Sequence, residues 1–256
     1  MLAQERHQII IDLINKNRVV KVQDLMSMFN VSIETVRRDL DYLESQGYLR
    51  KVYGGAVISK RLADEPSYSF REVAHLEEKK QIGKKCAELI EDGESLIIDL
   101  GTTTLEVAKN LKQKKNLTII TNAINIALEL INIKDFRVFL AGGRLRHGDL
   151  SCSGFLANDF LKQFNVDKAI IGVGGITLED GISDYHVEEA GTRRRMIERS
   201  NKVIAVTDYS KFGVKAFTKV CDLKDVDVLV TDWNVDNHLI KKYKKHIKTV
   251  LTCEKP

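Results

Sequence analysis

From residue 95 to residue 251 the chain keeps returning to one unit: a short continuous apolar run, a small polar turn, then a stretch of helical period. The apolar runs read as strands at 95–100, 117–121, 136–141, 168–173, 202–207, 226–231 and 247–251. Helical stretches at 104–111, 123–131, 155–164 and 187–200 fall between them, and a longer one at about 72–90 precedes the first strand. A strand apolar on both faces must be covered on both faces, and a strand followed by a helix returns parallel to its predecessor. The expected fold of this part is therefore α/β, a mainly parallel sheet between helical layers.

The first 58 residues follow a different rule. Ile9, Ile10, Leu13 and Ile14 recur at helical spacing, and a shorter helix carries Val22, Leu25, Met28 and Phe29. Val31 and Ser32 then open a third helix. Ser32 can accept a free backbone N–H of the first turn, and Val31 can staple against Val36. Ile33, Val36, Leu40 and Leu43 form its apolar stripe, Gly47 stops it, and two β-prone runs around Gly54-Gly55 read as a hairpin. The polar stretch 59–71, with one of the two prolines, reads as a linker. The expected organisation is a winged helix-turn-helix over 1–58, a linker over 59–71, and a larger α/β effector-binding and oligomerisation domain over 72–256.

On the third helix, about 100° per residue turns Glu34 and Arg38 away from Val36, with Thr35 and Arg37 on the flanks. The first turns of such a helix enter a DNA major groove, where arginine forks to guanine and short polar groups read other edges. Arg50 and Lys51 on the hairpin, Gly54 and Gly55 at its tip, and Lys60 and Arg61 beyond it suit phosphates or a minor groove. The plainer alternative is a solvated helix face. Residues 1–58 hold eight Lys/Arg against seven Asp/Glu, so one head alone should hold non-specific DNA weakly. The run Val31-Ser32-Ile33-Glu34-Thr35-Val36-Arg37-Arg38-Asp39-Leu40, with Arg50-Lys51-Val52-Tyr53-Gly54-Gly55-Ala56, resembles the winged helix-turn-helix of the DeoR family of bacterial transcriptional regulators.

The second set of candidates lies where strands end, which is where open α/β sheets bind ligands. Asp99-Leu100-Gly101-Thr102-Thr103-Thr104 leaves a strand and opens a helix, so hydroxyls and helix N-terminal amides can form an anion nest. Thr121-Asn122, Gly142-Gly143-Arg144, Gly174-Gly175 and the Asp208 to Lys211 stretch follow other strands. Together they read as a pocket for a phosphorylated polar small molecule; singly, each could be a plain turn. These residues, with Gly181 and Ser210-Lys211-Phe212-Gly213, are similar to the DeoR-family effector domain, which resembles ribose-5-phosphate isomerase in fold. That resemblance implies sensing of a sugar phosphate or related metabolite. Family members commonly carry Lys where Arg193 stands.

Other classes are disfavoured. The net charge of +4, from 40 basic and 36 acidic residues, is mild, so DNA contact must come from placement of charge. No apolar run approaches the ~18 residues of a membrane span, and residues 1–6 lack a signal-peptide pattern. Cys86, Cys152, Cys221 and Cys253 have no zinc spacing and read as buried reduced thiols in a cytoplasmic protein. Neither metal nor cofactor is expected. Gly172-Val173-Gly174-Gly175 lacks the last glycine of a dinucleotide fingerprint and has no carboxylate where an isomerase of this fold carries several. Glu188 and Glu189 read as first-turn acids, Arg193-Arg194-Arg195 as half solvated, and 241–245 as a solvated final helix. The expected function is a transcriptional repressor of a sugar-use operon, binding double-stranded operator DNA as a homo-oligomer and released by a phosphorylated sugar. The rivals are a sugar-phosphate isomerase or kinase-like enzyme carrying a DNA-binding head, and a nucleotide sensor.

Overall fold

The computed structural model describes residues 1–58 and 65–256, and the chain divides into two units, Met1–His75 and Leu76–Pro256. Ser59, Lys60 and Arg61 lie outside the described residues.

The first unit runs α1 (Ala3–Asn17), β1 (Val19–Lys21), α2 (Val22–Phe29), α3 (Ile33–Ser45), β2 (Leu49–Val52), β3 (Gly55–Ile58) and α4 (Tyr68–Val73). Ile10, Ile14, Leu25, Val36, Leu40 and Leu43 are buried together, and these are the residues that recur at helical spacing. Thr35 N–H donates to Ser32 Oγ at 3.3 Å, and Gly47 takes a φ of 81° just past the end of α3. The hairpin gains a strand that periodicity did not show. β1 pairs antiparallel with β3, giving the order β1-β3-β2. Gly55 permits it, because a Cβ there would stand 2.1 Å from the Val20 carbonyl oxygen.

The helix expected over 72–90 is two helices, α4 and α5 (Leu76–Ala87). Ala74 is extended and His75 has a φ of 55°, which breaks the helical ladder between them. The segment read as linker is already helical at Tyr68. Phe70 is buried in the head core, with its ring 4.3 Å from that of Tyr48.

The second unit continues with β4 (Ser95–Ile98), α6 (Thr102–Asn110), β5 (Thr118–Thr121), α7 (Ile124–Leu130), β6 (Arg137–Leu140), β7 (Arg144–Arg146), β8 (Ser151–Ser153) and α8 (Phe155–Leu161). Then come β9 (Val166–Gly172), β10 (Gly175–Thr177), β11 (Gly181–Asp184), α9 (Val187–Glu198), β12 (Ser200–Val206), β13 (Thr218–Cys221), β14 (Val228–Thr231), α10 (Asn237–Tyr243) and β15 (Thr249–Thr252). Seven strands form one parallel sheet in the order β15-β14-β12-β9-β4-β5-β6. Alternate residues of each strand enter opposite cores. Leu96 and Ile98 pack with α5, α6 and α7, while Ile97 packs with α8, α9 and α10.

The antiparallel pieces are the hairpin β7-β8 and the sheet β10-β11-β13. These short runs mix polar residues and glycine with apolar ones, so they show neither a period nor a continuous apolar stretch. All four cysteines are buried and free. Among the described residues no helix is long and apolar enough to cross a membrane.

Candidate functional site

In the first unit, capping fixes where α3 begins and the stripe fixes which face it shows. Glu34, Arg37 and Arg38 are exposed and Thr35 is half-buried. The Ser32 hydroxyl is committed to the cap. On the hairpin, Arg50 is exposed, Gly54 turns at a φ of +76°, and Gly55 is buried against β1. Lys51 reaches back to α3: its ammonium pairs with Asp41, and its N–H donates to Glu44 at 2.6 Å. The wing is thereby tied to the helix that would read bases. Tyr53, beside the Gly-Gly turn, is fully exposed at the hairpin tip.

Behind this surface lies a buried ion pair that the stripe analysis missed. Arg6 of α1 grips Asp39 of α3 with Nε to Oδ2 at 2.7 Å and Nη2 to Oδ1 at 3.0 Å. His7 Nε2 also meets Asp39 Oδ1 at 2.9 Å, and its ring stacks on Tyr42 at 4.7 Å. The signal was an acid on the same face as Val36, Leu40 and Leu43. The pair fixes α3 about its own axis.

In the second unit, the parallel sheet brings the strand-end candidates to one end. Asp99 is buried directly after β4. Gly172 N–H donates to its Oδ2 at 3.2 Å, while its Oδ1 is buried without a hydrogen-bond partner among the described residues. Gly101 caps α6 with a φ of 149°, and Thr102 and Thr103 are buried in the first turn. The Thr104 hydroxyl donates back to Gly101 O at 2.9 Å. The free N–H groups of that turn supply the positive end of the helix.

The neighbouring loops are largely braced by their own contacts. Thr121 Oγ1 accepts from Ala123 N–H at 3.1 Å. Asn122 accepts from Leu100 N–H at 3.0 Å and donates to Cys152 O at 3.1 Å, so it ties three segments together. Asp208 caps its own turn, accepting from Ser210 N–H at 3.0 Å, and Lys211 ends that turn half-buried. A Cβ on Gly175 would stand 2.4 Å from Val214 O, and one on Gly174 2.9 Å from Ser183 O, so both glycines admit close backbone packing. Gly142 and Gly143 are exposed at the end of β6, and Arg144 is exposed on β7.

The expectation of a half-solvated Arg193-Arg194-Arg195 run is corrected at its first member. Arg193 is buried, with Nε 2.5 Å from Asp99 Oδ2 and Nη1 on Asp184. The apolar fraction of α9 is too low for its buried face to show in the sequence. Burial works against the Arg193 charge, but Asp99 and Asp184 together outweigh it and hold the guanidinium protonated. One cation between two carboxylates leaves a surplus negative charge. Accordingly burial, and then Asp184, push the Asp99 carboxyl above its usual range against the pull of Arg193. Glu189 is likewise more than a first-turn acid: it is buried and accepts from Arg146 at 2.7 Å. Asp232, after β14, was missed. It accepts from Tyr209 N–H at 2.7 Å and Asn234 N–H at 2.8 Å, and burial raises its pKa to about 6.

Known families match both units of the chain. Residues 6–61 match the family described as DeoR-like helix-turn-helix domain, and residues 74–233 the DeoR C terminal sensor domain. The glycerol-3-phosphate regulon repressor of Escherichia coli K12 is 38% identical over 232 residues, 91% of this chain and 92% of that protein. The HTH-type transcriptional regulator GolR of Listeria innocua is 32% identical over 243 residues, 95% of this chain and 96% of that one. A solved ribose 5-phosphate isomerase A from Methanocaldococcus jannaschii overlays with a TM-score of 0.41 at 12% identity, covering 54% of this chain and 55% of that one.

Proposed function

The chain belongs to the DeoR family of DNA-binding transcriptional repressors, and from that premise we propose that a phosphorylated sugar, bound at the strand ends of the second unit, releases it from its operator. One observation carries the reading. Asp99 Oδ1 is a buried acceptor with no partner among the described residues, in a cluster with surplus negative charge, two residues before Gly101, the N-cap of α6. A buried orphan acceptor asks for a donor, and a sugar hydroxyl is one. The adjacent helix start asks for an anion, and a phosphate is one. A phosphorylated polyol offers both groups on one small frame. The Escherichia coli relative takes its name from a regulon of such a compound.

In this reading Glu34, Thr35, Arg37 and Arg38 face base edges, while Arg50 and Lys51 face the backbone of operator DNA in the cytoplasm. The second unit binds its ligand without transforming it. General acid–base chemistry needs a carboxylate poised to move a proton, and both Asp99 and Asp184 are engaged by Arg193.

The test is an operator-binding titration against a panel of pentose, hexose and triose phosphates and their unphosphorylated parents. Release by one phosphorylated compound and not by its parent is expected. Release by the parent alone, or by none of the panel, overturns the reading. Product analysis of the same mixtures detects an isomerase if there is one.

A further inference from the structure

The two edges of the seven-stranded sheet are built differently. Around β15 the chain is rich in lysine, with Lys241, Lys242, Lys244, Lys245 and Lys248 close in sequence. Charged flanks of this kind keep an unpaired edge from recruiting another strand. At the other edge, β6 hydrogen-bonds only to β5 among the described strands and exposes Phe139 and Leu140. Parallel sheets ordinarily have both faces covered, and this strand is the exception in the sheet.

The apolar surface continues onto the helices on either face. Leu128 and Ile131 belong to α7 and its C-cap, and are 66% and 55% exposed; Phe155 and Leu156 open α8 at 76% and 64%. α7 packs directly on β6, and local contacts join the α8 side to the same edge. Phe139 lies 5.6 Å from Phe164, just after α8, and a Cβ on Gly143 would lie 3.5 Å from Ala157 N of α8. The six side chains are 40% to 76% exposed, so the patch is on the order of 600 Å², at the upper end of the largest patch on a monomer and approaching the ~800 Å² per partner of a standard interface.

We infer that the β6 edge, flanked by α7 and α8, is where a second copy of this chain docks. The occupant follows from three facts. The area approaches what each partner of a stable dimer buries. An unpaired strand edge is self-complementary: two copies of β6 related by a two-fold axis run antiparallel and satisfy each other's free N–H and C=O groups. A helix-turn-helix head with eight basic and seven acidic residues holds DNA weakly alone, and pairing two such heads on repeated half-sites supplies the missing affinity.

Sedimentation of the full-length protein tests this. The wild type should be a dimer at micromolar concentration. Phe155→Glu and Leu128→Glu, on different helices and both mostly exposed, should each weaken dimerisation at least tenfold and together give a monomer with unchanged circular dichroism. Phe217→Glu, exposed beside the antiparallel sheet, should remain dimeric. Single cysteines at 137, 138, 139 and 140 should include at least one that cross-links to its own copy under mild oxidation. A monomeric wild type gives the patch to a different protein and overturns the inference. So does a dimer indifferent to both glutamates, or the absence of a self-cross-link at all four positions.

Discussion

Arg193 Nε lies 2.5 Å from Asp99 Oδ2, and the same guanidinium reaches Asp184. One side chain of α9 thus joins the end of the central strand β4 to the end of the outlying β11.

Removing that guanidinium strands two buried carboxylates. Arg193→Met should therefore cost about 3–5 kcal/mol of stability, the range for breaking a buried ion pair from one side. Arg193→Lys keeps the charge but not the fork, so it can hold one carboxylate well and not both. It should be the milder change. Urea unfolding of the two variants checks the order, and equal stabilities would show that the fork is immaterial.

The Arg6–Asp39 pair should matter to the head in the same way. Asp39→Asn keeps shape and loses charge, so the Arg6 guanidinium is left buried without its counter-ion. Operator binding should fall at least tenfold while the second unit stays folded, because α3 loses the contact that fixes its rotation. A double-mutant cycle with Arg6→Met should return a coupling of about 1–3 kcal/mol. Additive effects would separate the two residues.

These two pairs also mark what the sequence could not display. The seven parallel strands were legible because each is a continuous apolar run, and α3 was legible because Ser32, Val36 and Gly47 are cap, stripe and stop. β7, β8, β10 and β11 are local hairpin strands that mix polar residues and glycine with apolar ones, and β1 and β13 take their pairing from distant partners. Arg193 and Asp39 were opaque for a related reason. A charged residue is usually solvated, and only its partner, 94 positions away for Arg193 and 33 for Asp39, makes burial tolerable. The strand-end loops were legible as a set of Gly, Thr and Asp. Which of them are braces, as Asn122 is, depended on contacts the sequence does not show.

Arg38 and Lys51 should separate by salt. Arg38 is exposed on α3, and Arg38→Ala should cost about 1–3 kcal/mol on the operator and relax one base position. Lys51 must choose between Asp41 and a phosphate. If DNA captures the ammonium, Lys51→Ala weakens all sequences alike and flattens the salt slope by about one counterion. An unchanged slope would mean that Lys51 stays on Asp41 as a brace of the wing.

Asp232 gives the second unit a pH dependence of known sign. Its pKa rises from an ordinary 3.8 to about 6 on folding. Below pH ~4 it is protonated in both states and contributes nothing. Between ~4 and ~6 the unfolded chain loses the proton first, so stability falls as pH rises, by at most about 3 kcal/mol. Asp232→Asn removes the titration. Thermal midpoints of wild type and variant should therefore diverge in the variant's favour from pH 4 to pH 7, offset by one lost bond to Tyr209 or Asn234 N–H. Parallel curves would place the Asp232 pKa near its ordinary value.

The switch itself is best probed where α6 begins. Thr102 is buried in the first helical turn and Lys211 is half-buried at the end of another strand-end turn. Thr102→Val removes a hydroxyl at nearly constant volume, and Lys211→Ala removes a charge. Neither residue belongs to the head, so operator affinity without effector should match the wild type. If hydroxyl, helix amides and ammonium share one phosphate, each variant should need at least tenfold more sugar phosphate for release, the loss of a charge-assisted hydrogen bond. Asp99→Asn distinguishes the other end of the ligand. It should weaken the response to a phosphorylated sugar that carries the matching hydroxyl and leave the response to a phosphorylated analogue lacking that hydroxyl unchanged, because its partner is a hydroxyl. The measurement is fluorescence anisotropy of labelled operator against effector concentration. Wild-type release by both Thr102→Val and Lys211→Ala would put the phosphate elsewhere, while a selective loss in Asp99→Asn would still assign the sugar to the end of β4.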